Sequence, residues 1–444
     1  MKSSISRNLR IYVCCLLVAV MVTGCSHSDF SGFFGKFLDD TKPIETDEIS
    51  TDDDNNQETT ESDKTSFFVD IDPENYPTIT SENNGGDTTE SDEKLQLILN
   101  DQLRLQIRNC ITESTDLFQN EINLTDCLAQ YEIMENQVDD LISVIVQEFE
   151  HVYMQNPDLF YLDGSLKAGY ELQSAWGGRK LTAMTIELRR YGRFEQASYE
   201  DLAGIRKQMH EEAASLAELV GENRSEWEKL LIVHDELVRR IVYDDSLNQE
   251  NNQAASALLE GMSLCKGYAQ AFKLISDQLD VSCQVISGQA GGIEHAWNLV
   301  TLEGKVYHVD VTHDDPVPDR GNMAPVDHRH FLRSDSIMAN SHIWDNSLYI
   351  SADEDGAHYF RQNDLTVSDR QELQQKLEQY FVLNNFDDDR ADQLELLYEG
   401  NDSVSENDFD MMFREALNKS NLNRKISYNL STEKSIMQLT VMPE

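Results

Sequence analysis

A two-residue Glu-Gly turn at positions 303–304 separates two strand-like runs, residues 294–302 and 305–312. Two-residue loops of this kind make the tightest hairpins, and they fix which residues of the two strands face each other. Because residues two apart on a strand share a face, His295 and Asp310 are predicted to be diagonal neighbours on one face of the sheet. Their Cβ atoms should then lie about 7–8 Å apart or less, so the carboxylate could orient the imidazole.

An amphipathic helix precedes these strands, with Ser263 as the predicted cap and Cys265 in the first turn. Its apolar residues recur at helical spacing: Leu264, Tyr268, Ala271, Phe272, Ile275 and Leu279. Free backbone N–H groups and the positive end of the helix dipole stabilise a thiolate there. The alternative is an inert, buried cysteine. A strand over residues 281–287 and a flexible loop over residues 289–292 are predicted to join this helix to the hairpin.

These parts are the ones that an acyl-transfer site needs. A thiolate attacks a carbonyl carbon, an imidazole moves protons, and a carboxylate holds the imidazole tautomer. Cys265, His295 and Asp310 are the candidates for the three roles. One oxyanion donor would be the backbone N–H of Cys265. For the second donor, Gln253 and Tyr243 are candidates, as is Asn252.

Three short segments resemble the core of the transglutaminase-like superfamily, a papain-like group of cysteine enzymes. They are CKGYA at residues 265–269, HAWN at residues 295–298 and YHVDVT at residues 307–312. The resemblance implies an α+β fold in which a helix bearing the cysteine packs on an antiparallel sheet bearing the histidine and the aspartate. It also implies that Cys265 is the nucleophile, His295 the general base and acid, and Asp310 the orienting group.

The resemblance extends over residues 225–345, which form the predicted catalytic domain. At its start, Ser225 and Glu228 form a capping box for a first core helix over residues 225–242. At its end, residues 328–342 resemble the closing segment of many bacterial members. His313 is a departure, because bacterial members commonly carry tryptophan at this place.

The N-terminus has the pattern of an export signal. Basic residues, a short apolar run and small residues precede Cys25, and the run is too short for a comfortable membrane span. Residues 1–24 are therefore a predicted signal peptide. The sequence before Cys25 resembles a bacterial lipobox, which implies a lipidated Cys25 and an extracytoplasmic protein anchored to the cell membrane by acyl chains. An ordinary secretory signal is the alternative.

Residues 25–92 are acidic and poor in apolar residues, so they are predicted to be a disordered tether. Two accessory α+β regions are expected, at residues 93–220 and in the acidic tail at residues 346–444. In the first, helices are predicted near residues 95–107, 138–152 and 196–220, and a strand at residues 180–191. In the tail, helices are predicted at residues 369–381 and 408–417 and a strand at residues 425–441.

The formal net charge of −45 argues against a nucleic-acid partner, because phosphates would be repelled over most of the surface. No cofactor is expected. The histidines late in the chain lack the paired spacing of zinc ligands, which favours surface or packing roles for His308, His313, His328, His330 and His342. The aspartate runs at residues 52–54 and 387–389 lack the glycine and spacing of a calcium loop.

The cysteines leave two questions open. Cys110 and Cys127 could form a disulfide, or they could be two buried thiols. Cys283 is predicted to be a core residue, and a bridge from it to Cys265 would abolish the proposed chemistry.

Two functions follow from this sequence. The first is a membrane-anchored cysteine enzyme that acts on amide bonds of peptide or protein substrates, with hydrolysis favoured over crosslinking. The second is a non-catalytic cell-surface binding protein that uses the same fold.

Overall fold

The computed structural model describes residues 64–71, 100–221, 223–315, 326–356, 358–384, 392–420, 426–433 and 435–443. The predicted signal peptide, Cys25, most of the predicted tether and both aspartate runs lie outside these residues. Among the described residues, no helix combines the length and the apolar character that crossing a membrane requires.

The described residues form an α+β fold. Its helices are α1 (Asp101–Asp116), α2 (Thr125–Leu128), α3 (Val138–Gln155), α4 (Tyr199–Val220), α5 (Glu226–Arg240), α6 (Cys265–Gln278), α7 (Asp335–Met338), α8 (Tyr359–Gln362), α9 (Arg370–Leu383) and α10 (Glu406–Lys419). Its strands are β1 (Lys64–Ile71), β2 (Glu121–Asn123), β3 (Leu162–Ala175), β4 (Gly178–Arg190), β5 (Val242–Tyr243), β6 (Met262–Ser263), β7 (Cys283–Ala290), β8 (Ile293–Leu302), β9 (Lys305–Val309), β10 (Phe331–Arg333), β11 (His342–Ile343), β12 (Thr366–Val367), β13 (Asp392–Tyr398), β14 (Ile426–Glu433) and β15 (Ile436–Pro443).

The N-terminal sheet has the strand order β1-β3-β4-β2. Strand β1 corrects the prediction of a disordered tether over residues 25–92, because residues 64–71 pair antiparallel with β3. The alternation of Phe67, Val69 and Ile71 turns one face of this strand inward, a local pattern that the acidic composition of the whole segment concealed. The predicted helices at α3 and α4 and the predicted strand at β4 are confirmed.

The central sheet has the order β10-β9-β8-β7-β11 and contains the hairpin with which the sequence analysis began. Leu302 pairs with Lys305, so the predicted two-residue turn is confirmed. Glu303 and Gly304 both have positive φ, 51° and 79°, as the tightest hairpin turns require. Strand β9 ends at Val309 rather than at residue 312, which leaves Asp310 just beyond the strand.

The flexible loop predicted at residues 289–292 is wrong. Strand β7 continues to Ala290, which pairs with Ile293, so Gly291-Gly292 forms a second tight turn. Both glycines have positive φ, 61° and 80°. The glycine pair therefore makes a hairpin corner instead of a mobile connection.

Helix α6 packs between this sheet and the helices of the predicted accessory region. A shared hydrophobic core joins residues of α1, α3 and α4 to residues of α5 and α6. Gly267 in α6 permits a close approach, because a Cβ at this position would lie 2.7 Å from the Gln253 carbonyl oxygen. Glycine in the CKGYA segment is thus needed for packing beside the predicted nucleophile.

The tail forms a third sheet, of order β12-β13-β15-β14, with its own core against α9 and α10. The two predicted helices are confirmed. The strand-like end at residues 425–441 is a hairpin of two strands, β14 and β15.

The open questions about cysteines are settled for the described residues. Cys110 and Cys127 form a disulfide. Cys265 and Cys283 are both free thiols, and Cys283 is buried in the core as predicted.

Candidate active site

Cys265 is the first residue of α6 and is partly exposed. The cap of this helix differs from the prediction. Ser263 lies in β6, where its hydroxyl donates to the Asn251 carbonyl oxygen at 2.6 Å, so it does not cap α6. The side-chain oxygen of Asn252 instead accepts from the backbone N–H of Lys266 at 3.0 Å. A loop residue distant in sequence therefore holds the first turn that presents the sulfur.

The imidazole of His295 lies between a carboxylate and the thiol. Its Nε2 is 2.8 Å from Oδ2 of Asp310, and the Cys265 sulfur is near enough to contribute to the raised pKa of the ring. Because Nε2 faces Asp310, Nδ1 is left for the sulfur. The structure thus brings together the three side chains that the sequence analysis selected for the nucleophile, the acid-base and the orienting role.

The electrostatics of this arrangement favour an ion pair. Burial opposes a charge on His295, but the Asp310 carboxylate and the hydrogen bonds to Asp310 and Cys265 raise its pKa to about 10. Burial also opposes a charge on Asp310, yet His295 and His313 hold the pKa of this carboxyl well below its usual range. The imidazolium is therefore the stable form at neutral pH, and it is placed to stabilise a neighbouring thiolate.

Two further histidines contact the same carboxylate, and sequence reasoning did not assign them to the site. Nδ1 of His313 is 2.6 Å from Oδ2 of Asp310, and Nε2 of His342 is 2.9 Å from the same oxygen. The three-residue spacing of His313 from Asp310 was a local signal for the first. No local signal marked His342, which reaches the site because β11 pairs with β7.

His308 lies on β9 immediately before Val309 and belongs to a different contact. Its Nδ1 accepts from the indole N–H of Trp297 at 2.9 Å, and its Nε2 is 2.8 Å from Oδ1 of Asp335. His308 is fully buried, so it has the packing role that the sequence analysis favoured for it.

The candidates for the second oxyanion donor lie in different surroundings. The side-chain amide of Gln253 donates to the Glu250 carbonyl oxygen at 2.9 Å, and Asn252 serves as the cap described above. Burial, followed by the neighbouring charge of Cys265, raises the pKa of Tyr243. Tyr243 therefore lies near enough to the sulfur to interact with it electrostatically.

Lys266 adjoins the nucleophile but points into the protein. Its Nζ hydrogen-bonds the Tyr153 hydroxyl and lies 3.8 Å from the centroid of that ring. Burial lowers the pKa of Lys266 to about 7. This contact fastens α6 to α3 of the preceding region behind Cys265.

Comparisons with known proteins give structural neighbours only. No family model and no curated protein matches the chain. A TGase crystal structure matches with a TM-score of 0.24 and 15% identity, over 34% of this chain and 45% of that one. A proposed cysteine protease from Cytophaga hutchinsonii matches with a TM-score of 0.22 and 12% identity, over 34% of this chain and 55% of that one.

A proposed protease from Parabacteroides distasonis matches with a TM-score of 0.21 and 11% identity, over 63% of this chain and 60% of that one. The chain thus spans less than two thirds of the length of each of these structures.

Proposed function

We propose that this protein is a cysteine enzyme that acts on amide bonds of peptides or proteins through an acyl-enzyme at Cys265. The observation that carries the proposal is the position of the His295 ring, which contacts the Asp310 carboxylate at 2.8 Å and interacts electrostatically with the Cys265 sulfur. This arrangement supports the order of events in which a thiolate attacks and an imidazolium then protonates the leaving amine.

The acyl-enzyme can be resolved by water or by a second amine, and both outcomes share the first half-reaction. We favour water, because bacterial members of the superfamily that the sequence resembles include peptidase-like proteins. The resemblance of the sequence before Cys25 to a lipobox supports the proposal that the enzyme lies outside the cytoplasm, tethered to the membrane through a lipid on Cys25. Its substrates would then be peptides or proteins within reach of the cell surface.

The first test measures the reactivity of individual thiols in the full chain at neutral pH. Iodoacetamide should modify Cys265 at least about tenfold faster than a model thiol, because the imidazolium favours the thiolate. Cys283 is an internal control, since burial raises the pKa of its thiol to about 12. Peptide mapping by mass spectrometry assigns each modification to its residue. Equal rates at Cys265 and the model thiol would contradict the enzyme proposal and leave a binding protein.

The second test identifies the reaction. A peptide library is incubated with the full chain, with and without a primary amine, and compared with Cys265→Ala and Cys283→Ala. We expect cleaved peptides from the parent and from Cys283→Ala, and none from Cys265→Ala. Amine-adducted peptides in place of cleaved ones would replace hydrolysis by crosslinking as the proposed reaction.

A further inference from the structure

Asp310 is the centre of four side chains that could together hold a metal ion. We call Asp310, His295, His313 and His342 the Asp310 cluster. One atom from each, the Asp310 carboxylate oxygen and three imidazole nitrogens, lies within 4.8 Å of the other three. Three of these nitrogens are within 2.9 Å of the same oxygen, Oδ2.

Hydrogen bonds alone account poorly for this crowding. Oδ2 offers about two lone pairs to three nitrogens. The second oxygen, Oδ1, already accepts from the backbone N–H of His313 at 3.1 Å. Nε2 of His295 and Nδ1 of His313 also face each other at 3.0 Å, so two N–H groups directed at Asp310 would oppose one another. A cation at the centre would satisfy all four atoms with their lone pairs.

We propose that the Asp310 cluster binds one divalent transition-metal ion of the zinc type, and that this ion inhibits Cys265. Three imidazoles and one carboxylate are a common zinc ligand set, whereas magnesium and calcium require mainly oxygen ligands. Tetrahedral ligands at the usual zinc distances lie about 3.3 Å apart. Four of the six separations are 2.6 to 3.0 Å, so these need to widen by about 0.3 to 0.7 Å.

The surroundings of the cluster fit this role. The side chain of His313 is 38% exposed, which gives an ion a path from solvent, whereas Asp310 and His342 are buried. The remaining ring nitrogen of His342 is held by the Ser341 hydroxyl at 2.9 Å, as a metal ligand's second nitrogen usually is. The site is thus open on one side and fixed on the other.

Inhibition follows from shared atoms, and this part of the inference rests on the proposed function. An ion bound to Nε2 of His295 and to Oδ2 of Asp310 displaces the proton between them into solvent. Nδ1 of the metal-bound ring then keeps its own proton, so the ring can no longer accept the proton of the Cys265 thiol. Its orienting carboxylate is occupied as well, so both attack and proton return should stop.

The binding test removes the thiol so that sulfur cannot be the ligand. The full chain carrying Cys265→Ala is stripped with a chelator and titrated with zinc sulfate by calorimetry, with bound zinc measured by mass spectrometry. We expect His313→Gln added to this chain to weaken one zinc site at least about 100-fold. His342→Gln should do the same, and testing both keeps the result readable if the buried variant fails to fold.

His330→Gln is the matched control, because this ring is 5.4 Å from His313 but its Nδ1 contacts Asp314. It should leave zinc binding unchanged. Zinc uptake that is identical with and without His313 and His342 would overturn the proposal, as would loss of uptake in His330→Gln. If zinc binds instead at the other candidate group, His234, Asp235 and His328, its uptake will not depend on His313 or His342.

The inhibition test uses the parent chain and the alkylation rate of Cys265. Saturating zinc should slow alkylation at least about tenfold, magnesium should have no effect, and His313→Gln should abolish the response. Zinc uptake without slower alkylation would overturn the inhibitory role. If Cys265 shows no enhanced reactivity at all, the proposed function fails, while the binding test still decides on the metal site.

Discussion

The part of the chain that the structure describes contains two clusters in which histidines share carboxylates, and they differ in what lies beside them. The first is the Asp310 cluster. The second, which we call the Asp235 cluster, consists of His234, Asp235, Asp314, His328 and Glu395. In it, His234 contacts Asp235 and Asp314 at 3.1 and 3.2 Å, and His328 contacts Asp235 and Glu395 at 3.1 and 2.8 Å.

The Asp235 cluster joins three parts of the chain. Asp235 belongs to α5, Glu395 to β13 of the tail sheet, and His328 precedes β10 of the central sheet. The His328 ring also stacks on Tyr359 at a centroid distance of 3.6 Å. These contacts attach the tail to the central sheet through buried charges.

The difference between the clusters is the nucleophile and the access to solvent. The described free cysteines are Cys265, which the His295 ring contacts, and Cys283, which is buried. A histidine held by a carboxylate is therefore not sufficient for catalysis. The same kind of pair stabilises the fold in one place and, beside a partly exposed thiol, can support chemistry in the other.

The largest effect is expected from Asp310→Asn, compared with Asp335→Asn. Asp310 orients His295, and the amide cannot stabilise the imidazolium, so turnover of the peptides found in the library should fall about 10³- to 10⁴-fold. Asp335 forms the same kind of contact with His308 at 2.8 Å but faces no thiol. Turnover in Asp335→Asn should stay within about threefold of the parent.

Thermal melting of both variants separates lost chemistry from lost structure. If the two substitutions reduce turnover equally while both proteins stay folded, the assignment of Asp310 as the orienting group is contradicted.

The next effect concerns stability and should come from the Asp235 cluster. His328→Gln leaves the buried Glu395 without this cationic partner and removes one contact of Asp235, which keeps Arg239. The broken buried pair should lower the free energy of unfolding by about 3–5 kcal/mol. Urea denaturation measures the loss. The alkylation rate of Cys265 should change less than twofold, because the site does not use this histidine. A large fall in alkylation with unchanged stability would reverse the roles assigned to the clusters.

The same variant tests how the free energy of unfolding depends on pH. Burial opposes a charge on His328, but the contacts with Asp235 and Glu395 raise its pKa to about 10. A group with a raised pKa contributes its full stabilisation of the folded state below the unfolded pKa of about 6.5. This contribution is lost as pH rises to about 10. The free energy of unfolding should therefore decline across this window. In His328→Gln the decline should be shallower, with His295, His234 and His210, whose pKa values are also raised, supplying what remains.

The sequence predicted the site well where local rules decide the geometry. The two-residue turn at 303–304 fixed the register of β8 and β9, and helical spacing located α6 within one residue. The contact between His295 and Asp310 followed from these two facts. The accessory helices α3 and α4 were likewise visible from their apolar periodicity.

What the sequence did not reveal depends on contacts between distant segments. His342 joins the Asp310 cluster because β11 pairs with β7, and Asn252 caps α6 from a loop that precedes it. Strand β1 was missed because its partner, β3, lies about a hundred residues later and was itself not predicted. Residue spacing and strand propensity within one segment do not reveal which distant segment it pairs with.

The smallest expected effect separates the helices that carry the two clusters. Ser225 caps α5, which bears His234 and Asp235, by accepting from the Glu228 N–H at 3.2 Å, and Asn252 caps α6, which bears Cys265. Replacing either by alanine should lower the free energy of unfolding by about 1 kcal/mol. Only Asn252→Ala should also slow Cys265 alkylation, by about two- to fivefold, because fraying of the first turn moves the sulfur away from His295. Since Ser225→Ala imposes the same kind of loss on a helix without a thiol, equal alkylation rates in the two variants would mean that the cap contributes to stability alone and does not position the nucleophile.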